Sequence, residues 1–195
     1  RYARQCVGMV RRRLAWQLLT TTVLRSIQYG LPATTLSEKQ CDYVIAPLLR
    51  RGLPSAGIVR VLPRPLVYGP IDFQGIGIPN LYIAQEISHI ERILKYATEQ
   101  DNLTGQLIGA SMEQMVVEIG MNSPIFTRPY KVFGGLATDC WLKNTWEFVD
   151  RYAIRFKDTM PEMPLWRDND EFLMTIFIQN GYRGEELRQL NKCRI

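Results

Sequence analysis

The spacing of apolar residues along the opening of the chain predicts a long amphipathic helix. From Cys6 to about Tyr29 the apolar residues recur at mostly helical intervals, and arginines project from the other faces. Gly30 and Pro32 are expected to end this helix. The apolar face is formed by Val7, Val10, Leu14, Leu18, Val23 and Ile27.

A second helix is predicted to begin after Ser37 and to reach about Leu49. Ser37 and Gln40 have the spacing of a capping box, in which each side chain bonds the backbone amide of the other residue. Pro47 predicts a kink or an early stop, because proline removes a helical hydrogen bond. A loop is expected after this helix, marked by Gly52, Pro54 and Gly57.

Residues 63–79 contain four prolines and three glycines, and so many helix-breaking residues argue against a helix. We expect turns with one short extended piece around Phe73–Ile78. The glycines do not have the spacing of a phosphate-binding loop and are interpreted as permitting a tight turn. They are Gly69, Gly75 and Gly77.

The remainder of the chain again has helical periodicity. Asn80 is expected to cap a helix from Leu81 to about Tyr96, and Asp101 or Asn102 to start another. Further helices are predicted at about 137–152, 168–180 and 185–191, with Asp168 and Glu171 spaced as a capping box and Gly181 as a helix end. The face expected to be buried in the Asn80-capped helix comprises Ile83, Ile87, Ile90 and Leu94.

These elements together predict a mostly α fold, a helical bundle-like chain with one small extended Gly/Pro-rich element. We expect a basic helical part over residues 1–62, a Gly/Pro-rich connection over 63–79 and a helical C-terminal part over 80–195. No apolar run approaches the roughly 20 residues that a membrane helix needs, so no membrane partner is expected.

The charge is distributed unevenly along the chain. Residues 1–80 contain 11 lysines and arginines against 3 carboxylates, whereas residues 81–195 contain 13 against 16. Lys39 is the sole lysine before residue 81, and arginine is the residue best suited to bidentate contacts with phosphate. Such asymmetry indicates a polyanionic partner for one side, although a run of arginines can also be a solvated face. The candidate nucleic-acid-binding residues are Arg11, Arg12, Arg13, Arg25, Arg50 and Arg51.

Metal and nucleophile chemistry has little support in the sequence. Four cysteines lie far apart without a Cys-x-x-Cys pair, and His89 is the one histidine, so plain reduced thiols in an intracellular protein are expected. The nucleus and the cytoplasm are both compatible with that pattern. His89 is interpreted as structural, and the acidic cluster near 168–171 as a helix N-terminus rather than a metal site.

Three segments in order carry a resemblance to a known family: TTTVLRSIQYGLPATTLSEKQC, PLLRRGLP and PRPLVYGPIDFQGIGIPNLYIAQ. This order resembles the region just downstream of the palm in retrotransposon reverse transcriptases, especially of the non-LTR type. That region looks like the thumb and connection, and the closing segment FLMTIFIQNGYRGEELRQLNKCRI is similar to the segment after the thumb in such elements. The resemblance covers most of the chain. Gln74 departs from it, standing where the first glycine of a Gly-Gly pair is expected.

The resemblance implies a non-catalytic thumb/connection fragment of an RNA-directed DNA polymerase. Such enzymes carry their catalytic metals on a Tyr-x-Asp-Asp hairpin, and this chain has no such motif and no Asp-Asp pair. We therefore expect no catalytic residue, cofactor or metal in this chain, with Mg²⁺ confined to a palm upstream. The implied partners are an RNA/DNA template–primer duplex and the upstream palm of the same polyprotein. The alternatives are a stand-alone helical protein-interaction module without nucleic-acid binding and, with less support, a hydrolase.

Overall fold

A computed structural model describes residues 11–96, 101–121, 124–156 and 171–194. Within these ranges the chain is helical and contains no β-strand, so the predicted mostly α class is confirmed. The helices are α1 (Arg12–Gln17), α2 (Leu24–Gly30), α3 (Glu38–Ser55), α4 (Arg64–Tyr68), α5 (Leu81–Tyr96), α6 (Leu103–Ile119), α7 (Tyr130–Phe133), α8 (Trp141–Arg151), α9 (Leu173–Gln179) and α10 (Gly184–Arg194). A π-helical segment, Leu18–Val23, joins α1 to α2, and short 3₁₀ turns occur at Leu31–Ala33, Ile71–Phe73 and Ile125–Thr127.

The chain divides into two compact units. The first extends to Ser88 and the second begins at His89, so the division falls inside α5. The Gly/Pro-rich segment 63–79 lies within the first unit.

The first helical run, residues 12–30, buries a face one position away from the predicted one. Leu14 is half exposed, and the buried residues are Ala15, Leu19 and Leu24, followed by Leu31 in the 3₁₀ turn. The predicted face was therefore wrong in register. The π-helical turn fits an additional residue into the winding, which accounts for the five-residue step from Leu19 to Leu24 on the buried face.

Threonine hydroxyls satisfy carbonyls around this widened turn. The Thr20 Oγ1 hydroxyl donates to the Trp16 carbonyl at 2.9 Å, and the Thr21 hydroxyl donates to the Gln17 carbonyl at 2.7 Å. Side-chain bonds of this kind compete with the regular i→i−4 ladder and favour departures from the α-helix. The Thr-Thr-Thr run thus favours the widened π-helical turn at this position.

Helix α3 begins as predicted but continues further. The Ser37 and Gln40 capping box is present, with bonds of 2.8 Å and 3.3 Å. The predicted stop near Leu49 was wrong, because the helix passes through Pro47 to Ser55. Pro47 is exposed, opposite the buried stripe, so the carbonyl that it leaves unbonded faces water. The buried stripe consists of Cys41, Ile45, Leu49 and Leu53.

A buried glutamine fastens the linker that precedes α3. The Gln85 Oε1 atom accepts from the Thr34 hydroxyl and from the Leu36 amide, both at 3.0 Å. Its Nε2 group donates to the Leu36 carbonyl at 3.0 Å and to Glu86 at 3.1 Å. Because all polar groups of the buried amide are engaged, Gln85 fixes the α3 entry against α5 without leaving an unsatisfied group.

Helix α5 has the predicted bounds and the predicted Asn80 cap, but it buries another face. The Asn80 side chain accepts from the amides of Tyr82 and Ile83. Ile87 and Leu94, by contrast, are 45% and 47% exposed, so the predicted apolar stripe was wrong. Polar side chains occupy the inner face, which hydrophobic spacing alone does not reveal. The buried residues are Leu81, Tyr82, Gln85, Glu86, His89 and Ile93.

The Gly/Pro-rich segment contains a helix where none was predicted. Pro65 lies in the first turn of α4, a position that needs no amide donor and suits proline. The predicted extended piece around Phe73–Ile78 is not a strand. The amides of its last three residues donate to carbonyls of α4 and of Gly69, the residue that follows α4. The Ile76 amide donates to the Leu66 carbonyl at 2.8 Å, and the Ile78 amide donates to the Val67 carbonyl at 3.1 Å.

The predicted tight turn is confirmed by the approach of two glycines. A β-carbon built on Gly75 would lie 2.0 Å from the Gly69 carbonyl oxygen, a distance that no side chain can adopt. Gln74, where the resemblance leads one to expect glycine, takes the left-handed conformation that glycine adopts freely, with φ at 61°. The turn therefore forms in spite of the substitution.

The second unit is built around α6, α8 and the two last helices. Trp146 is fully buried, donates its indole N–H to the Arg128 carbonyl at 2.9 Å and meets Tyr130 edge-on. The predicted end of α9 at Gly181 is confirmed, with φ at 91°. The predicted start at Asp168, a residue outside the described ones, is wrong, because Phe172 is extended and α9 begins at Leu173.

The last helix caps the end of α6. Arg194 donates from Nη2 to the carbonyls of Val117 and Glu118 at 2.6 Å and 2.9 Å, and Asn191 donates to the Glu118 carbonyl at 2.9 Å. These carbonyls lie in the last turn of α6, where no helical amide is available to them. Burial lowers the pKa of Arg194 from its ordinary value.

Candidate nucleic-acid interface

All six candidate arginines lie in the first unit, and all are exposed. Three precede or open α1, one lies in α2, and two lie in the second half of α3. None of the six belongs to the buried face of its helix. The predicted arginines are therefore accessible to solvent and to a partner.

The packing of the first helical run on α3 sets the level of these arginines along the helix pair. The Leu19 side chain packs against Gly52, and the Arg12 stem packs against Gly57. As residue numbers rise along α1, they fall along α3, so the two helices run antiparallel. Arg50 and Arg51 directly precede Gly52 and therefore lie level with Leu19, between Arg13 and Arg25.

Arg12 differs from the others because its stem has a structural role. A β-carbon on Gly57 would lie 2.9 Å from the Arg12 Cδ atom. The aliphatic part of the side chain thus covers the turn after α3 while its charged end remains exposed, as long basic side chains commonly do. Arg12 lies off the buried face of its helix, as expected, but its stem still contacts the turn after α3.

The six arginines are spread along the helix pair. Arg25 lies 13 residues after Arg12 in one helical run, which corresponds to roughly 20 Å along the axis. Its guanidinium makes a long 3.4 Å contact with the Gln28 side chain. The structure accordingly places Arg11, Arg12 and Arg13 at one end, Arg50 and Arg51 near the level of Leu19, and Arg25 beyond them.

Positive charge is in excess in the first unit. Residues 11–88 contain nine lysines and arginines against four carboxylates. Lysines and arginines of the second unit form ion pairs, such as Lys143 with Asp139 and Arg188 with Glu185. An excess of exposed arginine is the feature expected of a surface that meets phosphates.

Two tyrosines on the same helices were missed in the sequence. Tyr29 is 91% exposed and Tyr43 is 83% exposed, and each lies four residues after a basic residue, Arg25 or Lys39. Residues four apart on a helix lie on one face. The spacing was visible in the sequence, but without the helix faces nothing showed that both rings point to solvent.

The first unit also has a polar cleft of about 460 Å³ between α3, α4 and the Asn80 cap. Burial raises the pKa of the Tyr68 hydroxyl, with Asp42 adding to the effect and Arg64 opposing it. The cleft holds acidic, basic and amide groups together and presents no nucleophile–base pair. Its lining residues are Glu38, Asp42, Ala46, Arg64, Pro65, Tyr68 and Asn80.

The residues considered for metal or thiol chemistry are held apart. Across residues 11–96, 101–121, 124–156 and 171–194, no three histidine, cysteine or acidic side chains are grouped to hold a metal ion. Cys41 is buried, and its pKa is raised to about 11 by burial and by nearby Asp42, Glu86 and Glu38. Cys140 and Cys193 are exposed, and Cys6 lies outside the described residues.

No protein-family model matches this chain, and neither a curated protein nor a solved structure matches it significantly. Among the described helices, none is both long and apolar enough to cross a membrane. The functional argument therefore rests on the arginine-bearing surface of the first unit.

Proposed function

We propose that the first unit binds a nucleic-acid duplex through its phosphates, as the thumb/connection part of a retroelement reverse transcriptase. The single observation that supports this most is the series of six exposed arginines along α1, α2 and α3, none of them on a buried face. Arginine forms bidentate, charge-assisted hydrogen bonds with phosphate. Contacts of this type hold a duplex in position without reading its sequence.

The resemblance supplies the biological setting of the proposal. The arginine surface lies in the part of the chain that resembles the segment following a polymerase palm, where a helix would lie along the template–primer duplex. In this proposal the palm of the same polyprotein supplies the Mg²⁺ chemistry, and the present chain contributes binding alone.

Three arginine substitutions test the proposal. We choose Arg13→Gln, Arg50→Gln and Arg51→Gln together, because these side chains are exposed and Arg12 is avoided for its packing role. For an RNA–DNA duplex, each lost phosphate contact should reduce the salt slope of binding by roughly 0.9, the value for a B-form duplex. The triple variant should therefore show weaker and less salt-sensitive binding.

A matched control removes three exposed charges from the second unit: Lys131→Gln, Arg155→Gln and Lys192→Gln. Both triple variants have the same net charge, so a non-specific charge effect would change the slope equally in both. The proposal requires a larger change for the first-unit variant. Equal slopes in the two variants would contradict it.

One observation favours the alternative of a protein-interaction module. Ile71 and Phe73, in the turn after α4, are 74% and 81% exposed. Large apolar side chains on a turn with fixed hydrogen bonds could insert into an apolar site on another protein. If duplex binding is absent at low salt, this alternative becomes the better account.

A further inference from the structure

We infer that the outer face of α3 and the exposed end of α2 each offer a stacking surface for unpaired bases of a single-stranded nucleic acid. This inference rests on the proposed function, since it assumes that the first unit binds nucleic acid. It adds the class of strand and the residues that would contact bases. The outer face of α3 is defined here by Lys39, Tyr43, Pro47 and Arg50.

The four residues share one side of α3. They recur at intervals of four, four and three residues, which places them along one line of an α-helix. All four are exposed, whereas Cys41, Ile45, Leu49 and Leu53 form the buried side. At a rise of about 1.5 Å per residue, Tyr43 stands about 6 Å along the axis from Lys39 and about 10 Å from Arg50.

The charge of this face is of one sign. Both carboxylates of α3, Glu38 and Asp42, line the cleft beside α4 and so lie on another side of the helix. The outer face therefore presents two cations with an aromatic ring and a proline ring between them. A partner that is polyanionic and also offers flat apolar rings complements that arrangement.

The same combination recurs independently on α2. Tyr29 follows Arg25 by one helical turn, and its ring is 91% exposed. In both helices a cation is thus placed one turn before a ring that has almost no protein contact. Neither ring stabilises the core of the unit, because each is more than four-fifths exposed.

A single strand fits these rings better than a duplex does. Bases in a duplex are stacked on each other and offer their edges, while an unpaired base can turn its face to an aromatic side chain. Stacking of this kind is tolerant of sequence, since every base has a π-face. Cations beside the ring then hold the phosphates of the same strand.

The test uses the 195-residue chain and two single-stranded oligonucleotides of equal length. One is a homopolymer of adenine or thymine deoxynucleotides, and the other has the same phosphates with most bases replaced by abasic sites. The double variant Tyr29→Leu, Tyr43→Leu removes both rings, and Tyr29→Phe, Tyr43→Phe retains them. Binding is measured by fluorescence anisotropy at low salt.

We expect the leucine variant to bind the base-containing strand at least about fivefold more weakly, the lower end of the range for one stacked base. The phenylalanine variant should bind like the wild type, and the abasic strand should bind both variants and the wild type alike. Phe73→Leu serves as a control, because Phe73 is also exposed but has no basic residue one turn before it.

Equal binding of the base-containing strand by the wild type and the leucine variant would overturn the inference. It would also be overturned if the leucine variant lost as much affinity for the abasic strand, or if Phe73→Leu lost as much affinity for the base-containing strand. If these failures occur while duplex binding still depends on the arginines, the proposed function stands and the stacking surface does not. If the wild type binds neither strand nor duplex, both are refuted.

Discussion

Gly75→Ala should open the turn after α4. The added β-carbon would lie 2.0 Å from the Gly69 carbonyl oxygen, and the contact is with backbone, so it cannot be relieved by turning a side chain. Separation of the two segments would strain or break three hydrogen bonds, made by the amides of Ile76, Gly77 and Ile78. At about 1 kcal/mol for each bond, we expect a loss of about 3 kcal/mol in the free energy of unfolding.

Gln74→Gly is the matched control, because it changes the neighbouring residue in the opposite direction. Gln74 has φ at 61°, which costs a residue with a β-carbon roughly 1 kcal/mol. Glycine relieves that cost but gains conformational freedom in the unfolded chain. We therefore expect Gln74→Gly to range from neutral to about 1 kcal/mol more stable.

Urea denaturation followed by circular dichroism measures both variants, and hydrogen exchange at the amides of residues 76–78 reports the turn itself. Gly75→Ala should remove the protection of these amides, and Gln74→Gly should keep it. The reasoning is refuted if Gly75→Ala stays within about 0.5 kcal/mol of the wild type with its protection intact, the range of an ordinary surface substitution.

Three further substitutions or titrations probe the two units. Gln85→Glu should destabilise the first unit by about 3 kcal/mol in urea denaturation at neutral pH, because the carboxylate cannot donate to the Leu36 carbonyl and lies beside Glu86. A loss of stability below about 0.5 kcal/mol would contradict this prediction. Arg194→Met should lower the free energy of unfolding of the second unit by about 2 kcal/mol, because the carbonyls at the end of α6 lose their cap. Lys192→Met, at an exposed residue, should have little effect, and equal losses in the two variants would refute the role of Arg194 as a cap. Cys41 should resist alkylation in the folded protein below about pH 11, because burial raises the pKa of its thiol. Its contribution to stability should fall as pH rises from 9.0 through about 11, since the unfolded thiol releases its proton first. Mass spectrometry showing Cys41 labelled as fast as Cys140 would contradict this prediction.

The parts of the fold that were predictable from the sequence depend on short-range chemistry. The Ser37 capping box, the Asn80 cap and the helix end at Gly181 each require a few adjacent residues, and all three are confirmed. A tight turn at Gly69, Gly75 and Gly77 was also predicted, whereas the close approach of Gly69 and Gly75 is visible only in the structure.

The errors have in common that helix faces were assigned from apolar spacing alone. In the first helical run the buried face lies one position from the predicted one, and apolar spacing gives no sign of the π-helical turn at Leu18–Val23. In α5 the inner face is filled by Gln85, Glu86 and His89, which a hydrophobic stripe excludes. Pro47 was taken to stop α3, although proline is tolerated where the unbonded carbonyl faces water.

The candidate site was predictable in composition but not in arrangement. The six arginines were identified by charge asymmetry, and all six are exposed. The arrangement depends on antiparallel packing of α1 on α3, which joins residues some 45 positions apart in sequence, such as Arg12 and Gly57. The exposed rings of Tyr29 and Tyr43 required the same information about helix faces.

The most direct test of the central claim is the salt dependence of RNA–DNA duplex binding by the unaltered chain. We expect sequence-tolerant binding whose logarithm falls linearly with the logarithm of salt concentration. With five of the six exposed arginines each neutralising one phosphate, the slope should be about −4.5, at roughly −0.9 for each neutralised phosphate of a B-form duplex. A slope near zero, or no binding at low salt, would contradict the account.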